Sequence, residues 1–328
     1  MNQFAAVVKA WDTRNVASEP PHDALAAVDP AQAPRCVVLD GGMSNALEDR
    51  GHDLSDALWT ARLLKDAPDE VAAVHRAYYE AGAQVATAAS YQASVAGFES
   101  AGVGRDEAEA LVGRSVAIAR GVRDEMAEDG ATRWVAASVG PYGAVLADGS
   151  EYRGRYGLPR AALREFHEAR LELLVSAGPD LLAVETIPDA DEAEVLVELL
   201  QQVDVPSWFC FSADGMHTRA GQPLDDAFAV AASAGNVFAV GVNCCAPTDV
   251  LDAVALATEV TGRPGVAYPN SGEDWDSAGR RWTGGGAYDV SLVAEWVRAG
   301  AAYVGGCCRV GPETIAALAA QVSAGGAP

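Results

Sequence analysis

Apolar residues along this chain gather in eight short, nearly continuous runs: Cys36 to Leu39, Gln84 to Ala88, Trp134 to Val139, Leu181 to Val184, Ser207 to Phe211, Val237 to Val242, Gly265 to Tyr268 and Ala302 to Val304. Each is too short for a helix and ends in small or polar residues, which predicts strands buried on both faces. Between them the spacing changes. Leu111, Ile118, Val122 and Met126, and again Ala193, Leu196, Leu200 and Val203, fall on one face of a helix. Asp189 with Glu192 three residues later predicts a helix N-cap, and Pro312 stands where a first helical turn tolerates proline. Strands alternating with helices imply a parallel sheet. Eight such units imply closure into a single (β/α)8 TIM-type barrel of the α/β class, with an open doubly wound sheet as the alternative.

A chain of 328 residues could hold two domains, but barrels of about 250 residues commonly form one. The barrel is assigned to 35–328. Residues 1–34, with Pro20-Pro21 and many alanines, are set apart as an N-terminal extension: a helix over Met1 to Val16, then a linker. Residues Ala227 to Thr248 carry no charge, yet Gly235 and Asn236 split them into a helix-like and a strand-like half, so no membrane span is expected.

The formal net charge is −23 and Lys9 and Lys65 are the only lysines, which argues against nucleic acid or anionic membrane as partner. Met1 to Arg14 lacks the basic cluster and apolar core of a secretory leader, so a cytoplasmic, reducing setting is expected. There the six cysteines read as metal or catalytic groups rather than a disulfide framework.

A barrel of this kind carries its chemistry at the C-terminal strand ends. Three cysteines stand at such ends: Cys244 after the sixth run, and Cys307 and Cys308 after the eighth. Three thiolates with one vacant tetrahedral position describe a zinc that accepts a substrate ligand. Neighbouring strand side chains point to opposite faces, so the backbone must leave the extended form at Cys307-Cys308, and Gly305-Gly306 permit it. Cys245 is the weaker ligand of its pair, and Cys36 and Cys210 are expected in the core. Three thiolates make zinc a poor activator of water, but coordination still strips the proton from a bound thiol. Alkyl transfer to sulfur is the expected reaction class. The five histidines lie away from the strand ends except His217, which is expected to be solvated.

At these residues the chain resembles the homocysteine S-methyltransferases, from about Val37 to Ala319. Gly241-Val242-Asn243-Cys244 and Gly305-Gly306-Cys307-Cys308-Arg309 match that family's zinc motifs. Leu39 to Met43, Ala89 to Gln92, Ser138 to Gly143, Asp148 to Gly154, Glu185-Thr186 and Tyr268 to Glu273 match it as well. The resemblance is greatest to the free-standing enzymes that use S-methylmethionine or S-adenosylmethionine. It implies a zinc ion on Cys244, Cys307 and Cys308, and homocysteine and a sulfonium methyl donor as substrates. Asp40 and Glu185 would grip the homocysteine ammonium, the amides of Gly41 and Gly42 its carboxylate, and Asn243 is grouped with these substrate-binding residues. Tyr91, Tyr142, Tyr268 and Trp275 offer aromatic faces to a sulfonium. Arg309 would balance charge near the cysteines or cap a helix.

One departure stands out: the family usually has Thr-Glu-Leu where this chain has Asn45-Ala46-Leu47. Other readings are a metal- or redox-sensing barrel without catalysis, and a methyltransferase acting on another small thiol or a selenol. An aldolase-like barrel would need a Schiff-base lysine at a strand end, where neither lysine stands.

Overall fold

The computed structural model describes residues 36–55, 58–276, 281–283, 286 and 288–325. The N-terminal extension with its expected helix, and the side chain of Trp275, lie outside the described residues. All eight apolar runs are strands: β1 (Val37–Val38), β2 (Val85–Thr87), β3 (Trp134–Val139), β4 (Leu181–Ile187), β5 (Ser207–Asp214), β6 (Val237–Asn243), β7 (Gly265–Tyr268) and β8 (Ala301–Val304). Each pairs in parallel with the next from β2 to β8, and β8 pairs with β1 through Val37 beside Tyr303. An isolated parallel bridge, Leu39 to Val85, joins β1 to β2, and the Gln84 N–H donates to the Val38 carbonyl at 2.7 Å. The sheet therefore closes, which excludes the open alternative.

The principal helix after each strand is, in order, α1 (Pro68–Glu80), α2 (Arg105–Glu125), α3 (Arg160–Ser176), α4 (Ala190–Leu200), α5 (Leu224–Ala231), α6 (Val250–Thr261), α7 (Val293–Arg298) and α8 (Pro312–Gly325). Pro312 opens α8 as expected. Residues 227–248 divide between the end of α5 and β6, and among the described residues no helix is long and apolar enough to cross a membrane.

Strand side chains sort into two buried sets. Leu39, Val85, Ala136, Ala183, Cys210, Val266 and Tyr303 pack with one another inside the barrel, while Val38, Val135, Leu182, Phe209 and Val304 pack outward against the helices. Burial on both faces is why the runs read as continuous rather than alternating. Two residues beyond the inward alanines the same register becomes polar, at Ser138 and Glu185, so the interior turns from core to site near the strand ends.

Asp189 caps α4, its Oδ1 accepting the Asp191 N–H at 3.0 Å. Glu192 does something else. It is buried and accepts from the Tyr142 N–H (2.7 Å) and the Tyr156 hydroxyl (3.0 Å), and meets His167 Nε2 at 2.8 Å. Held by three partners from α3 and the loop after β3, it anchors that loop instead of closing the cap.

Candidate active site

The three expected cysteines come together. Their sulfur atoms lie within 4.8 Å of one another, with Cys308 Sγ 3.9 Å from Cys244 Sγ. Cys244 and Cys307 are joined as a disulfide, their Cα atoms 5.6 Å apart, where the sequence predicts free thiolates. A disulfide and a metal are alternative uses of one convergence, and reduction leaves three sulfur ligands facing one point. Burial pushes the Cys308 thiol up to about 11, so it needs a cation beside it to ionise at neutral pH. The soft sulfur set and its geometry fit a divalent ion such as zinc. Cys245, Cys36 and Cys210 are buried apart from the cluster, as expected.

The backbone builds this corner. It leaves the extended form at both ends, with Cys244 at φ 47° and Arg309 at φ 65°. The loop after β7 clamps both cysteine pairs. Asn270 N–H donates to the Cys245 carbonyl (3.0 Å), Cys307 N–H to the Pro269 carbonyl (2.8 Å), Ser271 N–H to the Cys308 carbonyl (3.0 Å), and Asn270 Oδ1 accepts from Cys308 N–H (3.2 Å). Glycine is needed for how tightly these segments pack. A Cβ on Gly241 would lie 1.9 Å from the Val266 carbonyl oxygen, and one on Gly306 would lie 2.1 Å from Val310 Cγ1.

The same close packing corrects one expectation. The Gly42 amide, expected to bind a substrate carboxylate, donates instead to the Val310 carbonyl at 2.9 Å. A Cβ on Gly41 would meet that same oxygen at 2.2 Å. Both glycines line the cavity, but their smallness lets the end of β1 lie against the loop after β8.

A cavity of about 230 Å³ opens beside the sulfurs. Asp40, Glu48, Glu151 and Glu185 line it, and among the described residues no Lys, Arg or His does. Asp40, buried at 5% exposure, accepts from the Thr87 N–H (2.6 Å) and hydroxyl (2.9 Å). Burial, reinforced by the Glu185 charge, still raises its carboxyl to about 7. Glu185, likewise raised by burial, accepts from the Ser138 hydroxyl. Arg170 stands behind this wall, donating to the carbonyls of Gly140 (2.8 Å), Ser90 and Tyr91 (2.6 Å), and so ties the loops after β2 and β3 together.

Other expected residues are placed differently. Asn243 is fully buried and does not line the cavity. Its Oδ1 accepts the Thr186 N–H and its Nδ2 donates to the Thr186 hydroxyl, both at 2.7 Å, which holds Thr186 at φ 59° beside Glu185. Tyr91 and Tyr268 line the cavity, whereas Tyr142 packs against Tyr156 and Phe166. Arg309 pairs with Glu273 at 2.9 Å, and its N–H donates to Asn45 Oδ1. Ala46 sits in the hydrophobic core, while its neighbours Asn45 and Glu48 face the cavity. His217 is exposed.

Sequence reasoning gave no role to Trp59, Glu151 and Tyr152, which also line the cavity. The last two sit on a one-turn helix, Ser150–Tyr152, in the loop after β3, where five residues from Ala147 to Gly157 have positive φ. The clue available was the Asp148 to Gly154 stretch, whose glycines and acids mark a tightly turned segment. Tyr152 shares the cavity wall with Cys308. Glu151 is 5% exposed, and its Oε2 has no hydrogen-bond partner among the described residues.

Fold and site together define a (β/α)8 barrel with a three-sulfur centre beside an acidic cavity at its C-terminal mouth. Residues 37–322 match the homocysteine S-methyltransferase family. The homocysteine S-methyltransferase 4 of Zea mays is 46% identical over 309 residues, covering 89% of this chain and 90% of that protein. A selenocysteine methyltransferase of Astragalus bisulcatus is 39% identical over 322 residues, covering 90% and 95%. The crystal structure of the homocysteine methyltransferase MmuM of Escherichia coli, in its metallated form, superposes with a TM-score of 0.81 at 41% identity, covering 92% of this chain and 100% of that one. The chain belongs to the homocysteine S-methyltransferase family.

Proposed function

We propose that this protein transfers a methyl group from a sulfonium donor, S-methylmethionine or S-adenosylmethionine, to homocysteine, giving methionine. The observation that carries the reading is the juxtaposition of three converging sulfurs with a cavity lined by carboxylates and, among the described residues, by no basic side chain. Both substrates bring positive charge, one as an ammonium and one as a sulfonium. Cys244, Cys307 and Cys308 would hold zinc, which when bound supplies the charge that lets a thiol lose its proton at neutral pH. Asp40 and Glu185 would take the homocysteine ammonium through charge-assisted hydrogen bonds. Of the two glycines, Gly41 is the one left for the acceptor's carboxylate, since the Gly42 amide is already bonded. The walls hold sulfur and methyl within reach, which replaces a bimolecular encounter by a local one. The donor sulfur becomes neutral as the methyl departs, so no general acid is called for. A selenol acceptor is the second reading, favoured by the selenocysteine methyltransferase among the relatives.

The test is methyl transfer by reduced, metal-replete protein with each donor. About one zinc per chain and methionine formation are expected. Cys308→Ser should lose zinc and lower the rate by more than about 100-fold, since outer-shell changes at metal sites already cost about 10–100-fold and this one removes a ligand. Retention of both by the variant would sink the assignment.

A further inference from the structure

Asp40 and Glu185 each have protein partners that fix them toward one part of the cavity, and the proposed ammonium would complete their bonding. Glu151 is unlike them. It lines the same cavity, is 5% exposed, and carries an Oε2 with no hydrogen-bond partner among the described residues. A buried carboxylate left in this state is costly unless a cation completes it. Its place is not accidental. A Cβ on Gly143 would lie 2.5 Å from the Glu151 nitrogen, so the loop packs here against backbone. Asp148 Oδ1 accepts the Ser150 N–H (3.0 Å), Arg153 Nη2 donates to the Ser150 hydroxyl (2.7 Å), and Asp189 Oδ2 accepts the Arg155 N–H (2.9 Å). Glu151, Tyr152 and Cys308 line the same cavity, which puts Glu151 on the wall it shares with the sulfur centre.

We infer that Glu151 is the counter-charge for the sulfonium of the methyl donor, a specificity-determining residue that selects a cation over an uncharged thioether. The inference rests on the proposed methyl transfer and names the part of the cavity that reads the donor. The step balances without a further reagent. The lone pair of the deprotonated acceptor sulfur forms the new S–CH3 bond, and the pair of the breaking S–CH3 bond returns to the donor sulfur, which leaves as a neutral thioether. The thiol proton goes to solvent. Charge on the donor therefore shrinks toward the transition state, so Glu151 holds the bound donor more tightly than the transition state.

That gives a signature which a merely structural residue would not produce. In Glu151→Gln the donor KM should rise about tenfold or more while kcat stays level or increases, with zinc content and homocysteine KM unchanged. A second measurement needs no turnover: competition between S-methylmethionine and its uncharged isostere carrying carbon in place of the sulfonium sulfur. The wild-type protein should prefer the cation by about tenfold or more, Glu151→Asp should keep a preference, and Glu151→Gln should lose it. Equal binding of the two ligands by the wild-type protein overturns the inference even if no variant folds, and so does an undiminished preference in Glu151→Gln. Absence of any methyl transfer by the wild type would instead overturn the proposed function, since the binding preference is read separately.

Discussion

The two sides of this cavity are made of different material. The sulfur corner, formed by the loops after β6, β7 and β8, is fixed chiefly by backbone: of the four hydrogen bonds by which the 269–271 segment clamps the cysteine pairs, three join backbone to backbone and one uses Asn270 Oδ1, and glycines without room for a Cβ set the distances. The carboxylate wall, formed at the ends of β1 and β4 and in the loop after β3, is fixed by side chains: Thr87 on Asp40, Ser138 on Glu185, and Asn243 on Thr186. A backbone template keeps its shape whatever surface side chains surround it. A side-chain wall can be retuned one residue at a time, which places reaction class in the corner and ligand choice in the wall.

The largest test of that division is Asp40→Asn. Burial raises the Asp40 carboxyl to about 7 from the ordinary 3.8. The unfolded chain therefore releases this proton first as pH rises from about 4 to 7, and stability falls across that window, by roughly 4 kcal/mol when the shift is converted. Asparagine carries no such penalty and can still accept one Thr87 bond. The variant should be more stable than the wild type at pH 7 in urea titrations, with that gain vanishing near pH 4. Its zinc content should be unchanged and its homocysteine KM raised. A variant no more stable at pH 7 would show that the wall does not store this cost.

Asn243→Ala comes next, because Asn243 precedes Cys244 in sequence but serves the wall. Removal leaves the buried Thr186 N–H without its acceptor, a loss of about 2 kcal/mol. The expected result is a lower urea midpoint and a raised acceptor KM, with zinc stoichiometry kept. Zinc loss without a KM change would mean that Asn243 belongs to the corner.

The strands and the three cysteines were legible because they depend on local facts: apolar runs of strand length, and sulfur at their ends. The eight runs and the eight strands coincide to within a few residues. The wall was legible only in part, because partners distant in sequence decide it. Nothing in Asp40-Gly41-Gly42 reveals that Val310, far along the chain, takes the Gly42 amide, and nothing in Gly-Val-Asn-Cys reveals that the asparagine turns to Thr186. Glu151 sits outside every strand and reaches the cavity through a run of positive φ angles, which hydrophobic periodicity does not register. Glu192 fits a capping pattern that its buried partners override.

The smallest expected effect bears most directly on the corner. Arg309 follows Cys308 and looks like a charge placed to steady the sulfurs, yet its guanidinium pairs with Glu273 at a partly exposed position, 37% and 18% for the two side chains. Such a pair contributes less than about 1 kcal/mol. What the corner uses from this residue is its backbone, the N–H bonded to Asn45 Oδ1 and the left-handed turn at φ 65°. Arg309→Gln keeps both. Its urea midpoint should therefore shift only slightly, and its zinc stoichiometry and rate should stay within about twofold of the wild type, a difference of roughly 0.4 kcal/mol. Arg309→Gly, which removes the charge and also relieves the backbone strain, should be no worse. If Arg309→Gln sheds zinc, the guanidinium charge and not the chain path holds the sulfurs together, and the contrast between a backbone-built corner and a side-chain-built wall fails at its first term.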